Sequence, residues 1–255
     1  MVSGKTQMGG VAGWRGKIGN ICPAVLSGGG VRHFYQMAPE GIELKIVTLG
    51  IVRLTDDQVL QALSGVDDAA RRLAAHGVNF VSLDGLPLVT IKGYGWDKEL
   101  IKRIEGIAGC PATTSGTAAV EAFKSLSVKR VVMASPLPDE INKRIKNFLE
   151  ENGVEVINVK SLNIQENRRI CELPENVSYN VAKEAYLGAS EAEGIYIPCG
   201  AWVGPAVIEY LERDFGKPVI TSPQVVLWAG LKALHIRDHV KGYGQIFETL
   251  YSASA

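Results

Sequence analysis

Cys199 is the residue whose surroundings most directly suggest chemistry. The stretch GIYIPCGAW, residues 194–202, runs from apolar, strand-forming residues through Pro198 to Cys199 and Gly200, ahead of Pro205 and a helical pattern. A thiol between a strand and a helix N-terminus lies near backbone N–H groups, which tune its protonation and bind carboxylates. The pattern makes Cys199 a candidate active-site cysteine.

The other cysteines argue against a metal site. Cys22, Cys110 and Cys171 are far apart, and the chain has no CxxC pair and no Cys/His cluster. Cys22 ends an apolar run and is a candidate to line a site. Cys110 precedes Pro111, and this position favours a packing role for its side chain. Cys171 lies in the polar stretch QENRRICELPEN and is interpreted as a loop thiol. We therefore expect free thiols, no metal and a reducing cytoplasm.

Composition restricts the kind of protein and of partner. The chain has 255 residues, of which 46% are hydrophobic and 21% charged, enough for a sizeable core in one domain or two lobes. Its 27 basic residues balance 27 acidic ones, so neither nucleic acid nor a membrane surface is expected as partner. No apolar run reaches the roughly 18 residues of a membrane span, and MVSGKTQMGGVAGWRGK lacks a signal-peptide core. The expected partner is a small molecule, and homo-oligomer formation stays open.

Short apolar runs alternate with helical patterns, which predicts an α/β fold with parallel sheets covered on both faces. Strands are predicted at KIGNICP, LKIVTLG, VNFVSLDG, VKRVVMASP, GVEVINV and GIYIPCG. Between the second and third strands, Thr55 and Gln58 form a capping-box pattern that starts one helix ending at Gly77. The stretch SGGG before His33 is interpreted as a flexible loop, because no phosphate-loop motif accompanies it.

The chain contains an internal repeat. GCPATTSGTAAVEAF from Gly109 aligns with GKPVITSPQVVLWAG from Gly216 at an offset of 107 residues. Pro23 aligns with Pro136 at an offset of 113, and FVSLDG aligns with IYIPCG. Regular offsets over three segments indicate a duplicated α/β lobe.

The duplication predicts the domain organisation. Residues 1–16 are expected to be a flexible extension, residues 17–112 with 222–255 the first lobe, and residues 113–221 the second lobe. Two facing α/β lobes bring the C-terminal ends of their strands to a shared cleft, where ligands bind. The cleft is therefore the expected site.

Residues that follow predicted strands are the candidate site residues. Thr114 with Ser115, and Thr221 with Ser222, each precede a helix, where a hydroxyl and free N–H groups suit a carboxylate. Asp84 is a candidate second base. The candidate substrate-binding residues are Cys22, Pro23, Gly85, Thr114, Ser115 and Gly200.

From Ile18 to Phe247 the chain resembles the aspartate/glutamate racemase superfamily, in its arylmalonate decarboxylase and maleate isomerase branch. The segments that carry the resemblance are IGNICP, GCPATTSGTAAVEAFKSL, VKRVVMASPLPDEINKRIKNFLEENGVEV, GIYIPCG, LERDFGKPVITS and KGYGQIF. The resemblance implies two pseudo-symmetric lobes, each a mostly parallel sheet flanked by helices, with the active site between them.

The resemblance also implies a chemistry. Racemising and isomerising members use two thiols that face each other across the cleft. Cys199 matches the second-lobe thiol, but the first-lobe position falls at Gly85, as in arylmalonate decarboxylase. A racemase needs a group on each face of its substrate, whereas a decarboxylase needs one acid to protonate a carbanion. The implied function is a cofactor-independent decarboxylase of a malonate-like dicarboxylic acid, in which Cys199 protonates an enediolate held near Gly200.

Departures from the decarboxylase pattern leave other functions open. Leu86 and Pro87 stand where the decarboxylase has two hydroxyl residues, and Leu137 replaces a tyrosine. One alternative is an isomerase or racemase of a small acid that uses Cys199 with a non-standard second group, Cys22 or Asp84. Another is a non-catalytic protein that binds a carboxylate.

Overall fold

Two four-stranded parallel sheets form the framework of the protein in the computed structural model, which describes residues 12–25 and 28–252. The first sheet has the order β2-β1-β3-β4, with β1 (Gly16–Ala24), β2 (Ile42–Ile51), β3 (Phe80–Leu83) and β4 (Ala112–Thr114). The second has the order β6-β5-β7-β8, with β5 (Arg130–Ser135), β6 (Glu155–Ser161), β7 (Gly194–Ile197) and β8 (Val219–Thr221). All these strand pairs are parallel, so the predicted α/β class is confirmed.

Helices connect the strands and flank both sheets. They are α1 (Gly28–Met37), α2 (Asp56–Leu63), α3 (Val66–Ala75), α4 (Leu86–Thr90), α5 (Trp96–Ala108), α6 (Ser115–Ser125), α7 (Asp139–Glu151), α8 (Asn167–Cys171), α9 (Glu175–Leu187), α10 (Pro205–Phe215), α11 (Ser222–Ala233) and α12 (Thr249–Ser252). A 3-10 helix at Gln245–Glu248 precedes α12. No helix in the described part of the chain has the length and apolar character needed to cross a membrane.

Of the four inner strands, β3 and β7 are buried along their whole length. The edge strands β2 and β6 contain exposed residues. Strands covered on both faces consist of continuous apolar runs rather than an alternating pattern. This burial explains why FVSL and GIYI are recognisable in the sequence, and it directs the residues that follow them, Asp84 and Cys199, towards the ends of the sheets.

The predicted duplication is present in the structure. The two sheets share one strand order, with β1 corresponding to β5 and β3 to β7. Gly109 and Gly216 end α5 and α10 in the left-handed conformation, with φ of 68° and 63°. Thr114 and Thr221 are the N-cap residues of α6 and α11. The repeat therefore extends to the residues that end and start helices.

Helices α6 and α11 join the two halves, because each packs on the sheet that does not contain the strand before it. Phe123 of α6 makes an edge contact with Tyr196 of β7, with ring centroids 5.5 Å apart. Gly230 of α11 lies against Ile18 of β1 and Phe80 of β3. Strand β4 extends to Thr114, so the division between residues 112 and 113 falls inside it. The division into lobes stays a proposal.

Two local predictions are wrong. The helix expected from Thr55 to Gly77 is interrupted at Ser64 and Gly65, which separate α2 from α3. The Thr55 hydroxyl does accept the Gln58 N–H, but the Gln58 side chain accepts N–H groups of residues 52 and 53 instead of closing the box.

The expected loop before His33 is also replaced by structure, since α1 begins at Gly28. Ser27, which starts the SGGG stretch, lies outside the described residues, as do residues 1–11 of the predicted extension. His33 itself is buried, with Nε2 3.5 Å from Glu175 Oε1, and thereby links α1 to α9.

The contact between α11 and the first sheet can be tested with Gly230→Ala. A Cβ at this position would lie 2.6 Å from Ile18 Cδ1. We expect the substitution to lower the free energy of unfolding by about 1–3 kcal/mol, because overpacking outweighs the helix propensity of alanine. The matched control is Gly106→Ala in α5, where nothing lies within 4 Å of the added carbon. It should raise stability by up to about 1 kcal/mol. Equal effects in urea titrations of the two variants would contradict this packing.

Candidate active site

A cavity of about 150 Å³ lies where β1, β3 and β7 end. Much of its wall is apolar, with Phe34, Leu86, Leu137 and Val226 among the lining residues. None of the described lining residues is Lys, Arg or His. The polar and thiol side chains on the wall are Asn20, Cys22, Asp84, Asn167, Cys171, Cys199 and Ser222.

A contact between two connecting segments closes one side of the cavity. The Leu54 N–H donates to the Gln165 carbonyl at 2.9 Å, and the Asn167 N–H donates to the Val52 carbonyl at 3.0 Å. This contact brings α8 over the cavity, with Asn167 at its start and Cys171 at its end. The interpretation of Cys171 as a loop thiol is therefore wrong, because it ends a helix and lines the cavity.

Cys199 lies directly after Pro198 at the end of β7 and faces the cavity. Burial raises the pKa of its thiol to about 12, and the nearby Ala201 N–H only partly opposes that effect. Helix α10 begins at Pro205, six residues further on. The thiol is thus the dominant form at neutral pH, which suits a proton donor better than a nucleophile.

Cys22 occupies a similar environment in the first half of the chain. It lines the same cavity, and burial raises the pKa of its thiol to about 12, with a further contribution from the negative charge of Asp84. Cys22 and Cys199 are close enough to influence each other electrostatically. The cavity therefore contains two protonated thiols on different sheets, and Cys171 is a third thiol on its wall.

Gly85 occupies the first-half position where the superfamily resemblance implies a thiol in racemases. Its backbone is in a conformation that favours glycine, with φ and ψ both 94°. A Cβ there would lie 2.5 Å from Pro23 Cγ. Gly200 is restricted by packing rather than by its φ, since a Cβ would lie 2.8 Å from Pro223 Cδ. Both glycines line the cavity and leave room for a ligand beside backbone.

Asp84 is the acidic residue of the cavity wall. Its Oδ2 lies 3.4 Å from the Asn20 side-chain nitrogen. Burial raises the pKa of this carboxyl, although nearby donors from Asn20, Ser115 and the Gly85 N–H act in the opposite direction. Asp84, the sequence-predicted second base, therefore lies at the site with a carboxyl pKa that burial raises above its ordinary value.

Thr114 and Ser115 lie behind the wall of the cavity rather than on it. The Thr114 hydroxyl accepts the Thr117 N–H at 3.0 Å and also contacts the Thr117 hydroxyl at 2.9 Å. Thr117 in turn donates to Asp97 at 2.7 Å. Thr114 thus holds the start of α6, and a direct role in substrate binding stays a prediction. The Ser115 hydroxyl approaches Asp84 instead.

Three polar or thiol residues of the cavity wall, Asn20, Asn167 and Cys171, were not among the sequence-predicted site residues. Asn20 lies inside a strand whose apolar pattern it interrupts, and this interruption is the signal that could have found it. Ser222, which the sequence predicts at a carboxylate-binding helix start together with Thr221, does line the cavity. Cys171 reaches the cavity through contacts more than 100 residues apart, for which the sequence contains no local signal. Within the described ranges, no group of three or more His, Cys, Asp or Glu residues is arranged to hold a metal ion.

Comparison with known sequences places this geometry in one family. The family model for arylmalonate decarboxylase matches residues 22–247. Arylmalonate decarboxylase of Bordetella bronchiseptica is 27% identical over 201 residues, which cover 78% of this chain and 84% of the relative. Maleate isomerase of Pseudomonas putida is 25% identical over 195 residues, which cover 72% of this chain and 76% of the relative.

Solved structures agree with these matches. A mutant of arylmalonate decarboxylase in the liganded form has a TM-score of 0.84 at 25% identity, covering 91% of this chain and 99% of that chain. Maleate isomerase from Pseudomonas putida S16 has a TM-score of 0.86 at 19% identity, covering 92% of this chain and 99% of that chain. The isomerase comparison establishes a shared fold.

Gly85→Ala tests the restriction at the first-half position. We expect a loss of about 3 kcal/mol in the free energy of unfolding, because the substitution combines an unfavourable φ with overlap against Pro23. Gly109→Ala is the matched control, since its φ is 68° but nothing lies within 4 Å of the added carbon. It should cost only about 1 kcal/mol. Equal losses in denaturant titrations would show that the contact with Pro23 is unimportant.

The raised thiol pKa values predict a specific pH dependence of alkylation. In the unfolded chain, alkylation of Cys199 by iodoacetamide should increase around pH 8.5, the ordinary thiol pKa. In the folded protein the increase should move towards pH 12, because burial stabilises the protonated thiol. Peptide mass spectrometry of samples alkylated with and without urea measures both profiles. Coinciding profiles would contradict the burial of the sulfur.

Proposed function

Since the chain belongs to the arylmalonate decarboxylase family, we propose that it is a cofactor-independent decarboxylase of a malonate-like dicarboxylic acid. The relatives are a decarboxylase and isomerases, which supports an enzyme of one of these two kinds. The observation that carries the choice is the partly buried Cys199 thiol, with its pKa raised to about 12, on the wall of a cavity whose described lining residues include no cationic side chain.

The cavity offers different surroundings to the two carboxylates of such a substrate. One carboxylate would bind near the Ser222 hydroxyl at the start of α11 and the backbone N–H groups around Gly200, where a helix N-terminus favours negative charge. The other would lie against Leu86, Leu137 and Val226, which cannot donate hydrogen bonds. A carboxylate in apolar surroundings is poorly solvated, and its loss as neutral carbon dioxide relieves that cost.

Cys199 then completes the reaction. Cleavage of the carbon–carboxylate bond leaves its electron pair on the α carbon and the retained carboxylate, as an enediolate. N–H donors near Gly200 stabilise the developing oxyanion. The Cys199 S–H bond breaks as the new α C–H bond forms, which leaves a monoacid and a thiolate. One acid suffices, in agreement with glycine at the first-half position.

An isomerase is the second candidate, and a specific observation favours it. Cys22, Cys171 and Asp84 line the same cavity as Cys199 and offer a second group to the substrate. In a maleate cis-trans isomerase from Nocardia farcinica, a succinylcysteine intermediate has been trapped in a cysteine mutant. Such an adduct requires nucleophilic sulfur, whereas both Cys22 and Cys199 favour the thiol here. The raised pKa values of these two thiols therefore support the decarboxylase.

Cys199→Ala tests the proposal directly. Carbon dioxide release from a panel of substituted malonates should fall by at least about a hundredfold, because the variant lacks the proton donor. Cys110→Ala serves as the matched control, since Cys110 is also partly buried but lies outside the cavity. It should retain wild-type turnover.

Three results would redirect the assignment. Unchanged turnover by Cys199→Ala would remove the thiol from the mechanism. Isomerisation of maleate that is lost in both Cys22→Ala and Cys199→Ala would establish the isomerase. Thermal stabilisation by dicarboxylates without turnover of any compound would indicate a binding protein, because a ligand of the native state alone raises stability.

A further inference from the structure

Two neighbouring side chains on the cavity wall, Asn20 and Asp84, have oxygen atoms without a hydrogen-bond partner. Asn20 lies on β1, and Asp84 directly follows β3, the strand that pairs with β1. Asn20 Oδ1 and Asp84 Oδ1 each lack a hydrogen-bond partner among the described residues. Buried polar groups are almost always paired, because desolvation without a partner costs free energy. The two oxygens therefore indicate a place where a group from outside the protein chain binds.

Acceptors at this place outnumber donors. The Asn20 side-chain nitrogen donates to Asp84 Oδ2 across 3.4 Å, which is long for a hydrogen bond. The Ser115 hydroxyl and the Gly85 N–H lie beside Asp84. Both are donors to Asp84 alone, so Asn20 Oδ1 stays unpaired whichever way the Ser115 hydroxyl turns. No described Lys, Arg or His lines the cavity to pair with the carboxyl.

A bound molecule can reach both side chains. Asn20 and Asp84 line the cavity and are only partly buried as residues. Their Oδ1 atoms are shielded from solvent, but the last torsion of an Asp or Asn side chain is soft. Rotation about this bond exchanges the two oxygens of Asp84, so either oxygen can face a ligand.

The strand register places Asp84 near the reacting carbon of the proposed substrate. Leu83 and Ile197 are the last residues of β3 and β7, and each pairs with the last residue of the adjacent outer strand. Gly85 and Cys199 lie two residues further on and are equivalent in the two halves. Asp84 thus directly precedes the position equivalent to the proton donor. In a cavity of about 150 Å³, one small ligand reaches both Asp84 and Cys199.

We infer that Asp84, together with Asn20, selects a substrate that carries a hydrogen-bond donor, an amino or a hydroxyl group, on its α carbon. The inference rests on the proposed function. One carboxylate of the substrate binds near Ser222, the other lies against the apolar wall, and the donor group lies at Asp84. A donor group pairs the acceptor oxygens, whereas an alkyl group leaves them unpaired. A site that hydrogen-bonds a ligand group strongly rejects the analogue that lacks it.

The charge of Asp84 distinguishes the two kinds of donor. An ammonium group supplies the cation that the described lining residues lack, and a buried carboxylate needs such a partner. A hydroxyl group donates one hydrogen bond without a charge. Both substrates follow the same reaction. Loss of carbon dioxide and protonation by Cys199 leave an α-amino or an α-hydroxy monoacid.

Three malonates of nearly equal size test the selection. Aminomalonate, hydroxymalonate and methylmalonate differ only in the group on the α carbon. Calorimetric titration of Cys199→Ala measures their dissociation constants without turnover. We expect at least one of the two donor compounds to bind about tenfold or more tightly than methylmalonate, because the methyl group leaves the acceptors unpaired.

Substitution of Asp84 in the same background assigns the preference to this residue. Asp84→Leu should bind all three compounds within about threefold of one another, because it offers no acceptor. Asp84→Asn keeps one acceptor oxygen but no charge, so it should retain a preference for hydroxymalonate and lose one for aminomalonate. Asp97→Asn is the matched control, since Asp97 is buried, accepts a hydrogen bond from Thr117 and does not line the cavity. It should keep the original preference.

The possible failures are distinguishable. Equal binding of the three malonates, or binding of none, would overturn the inference, and this comparison needs no substitution of Asp84. An unchanged preference in Asp84→Leu would also overturn it. Equal rates of carbon dioxide release from all three compounds by the wild type would remove the selection and leave the proposed function intact. A preference for a donor compound without any carbon dioxide release would contradict the proposed function instead.

Discussion

Desolvation of the Cys199 sulfur is the constraint on which the rest of the site depends. A thiol in water would be partly ionised near pH 8.5, and beside donors it would become a nucleophile. Burial instead favours the protonated thiol and raises the pKa of Cys199 to about 12. In the proposed reaction, the same exclusion of water would leave one carboxylate of a dicarboxylic acid poorly solvated on the apolar wall. A single physical condition would then both promote loss of carbon dioxide and retain the acid that ends the proposed reaction.

The duplicated halves of the chain explain how the cavity excludes water. The differences between the halves underlie the proposed chemistry. Both halves direct the ends of their inner strands into one cavity, and α6 and α11 hold the halves together from inside. The second half contributes the thiol of Cys199. The first half contributes the Asp84 carboxyl next to Gly85, where a side chain is excluded by Pro23. The resulting site is asymmetric, because both halves contribute a thiol, Cys22 and Cys199, but the carboxyl of Asp84 comes from the first half alone among the described lining residues.

Much of the fold and the position of Cys199 could be predicted from the sequence, because both depend on local patterns. Continuous apolar runs indicated the inner strands, and the repeat indicated a shared cleft with Cys199 at its edge. Other features depend on tertiary contacts. The break at Ser64 and Gly65 lies within an uninterrupted helical pattern, and Cys171 reaches the cavity only through the distant contact of residues 52–54 with 165–167. Asp84 lies beside Asn20 and Ser115, which belong to separate elements, and no spacing in the sequence reveals these contacts.

Following the reaction at the α carbon of the substrate tests the central claim most directly. Proton NMR in deuterated water, with substituted malonates, maleate and small amino acids as substrates, follows carbon dioxide loss and deuterium incorporation together. A one-acid decarboxylase predicts a monoacid with one deuterium at the α carbon and no deuterium in recovered substrate. Deuterium exchange or cis–trans isomerisation without loss of carbon dioxide would contradict the account, because in either case the protein would act on a substrate that keeps both carboxyl groups.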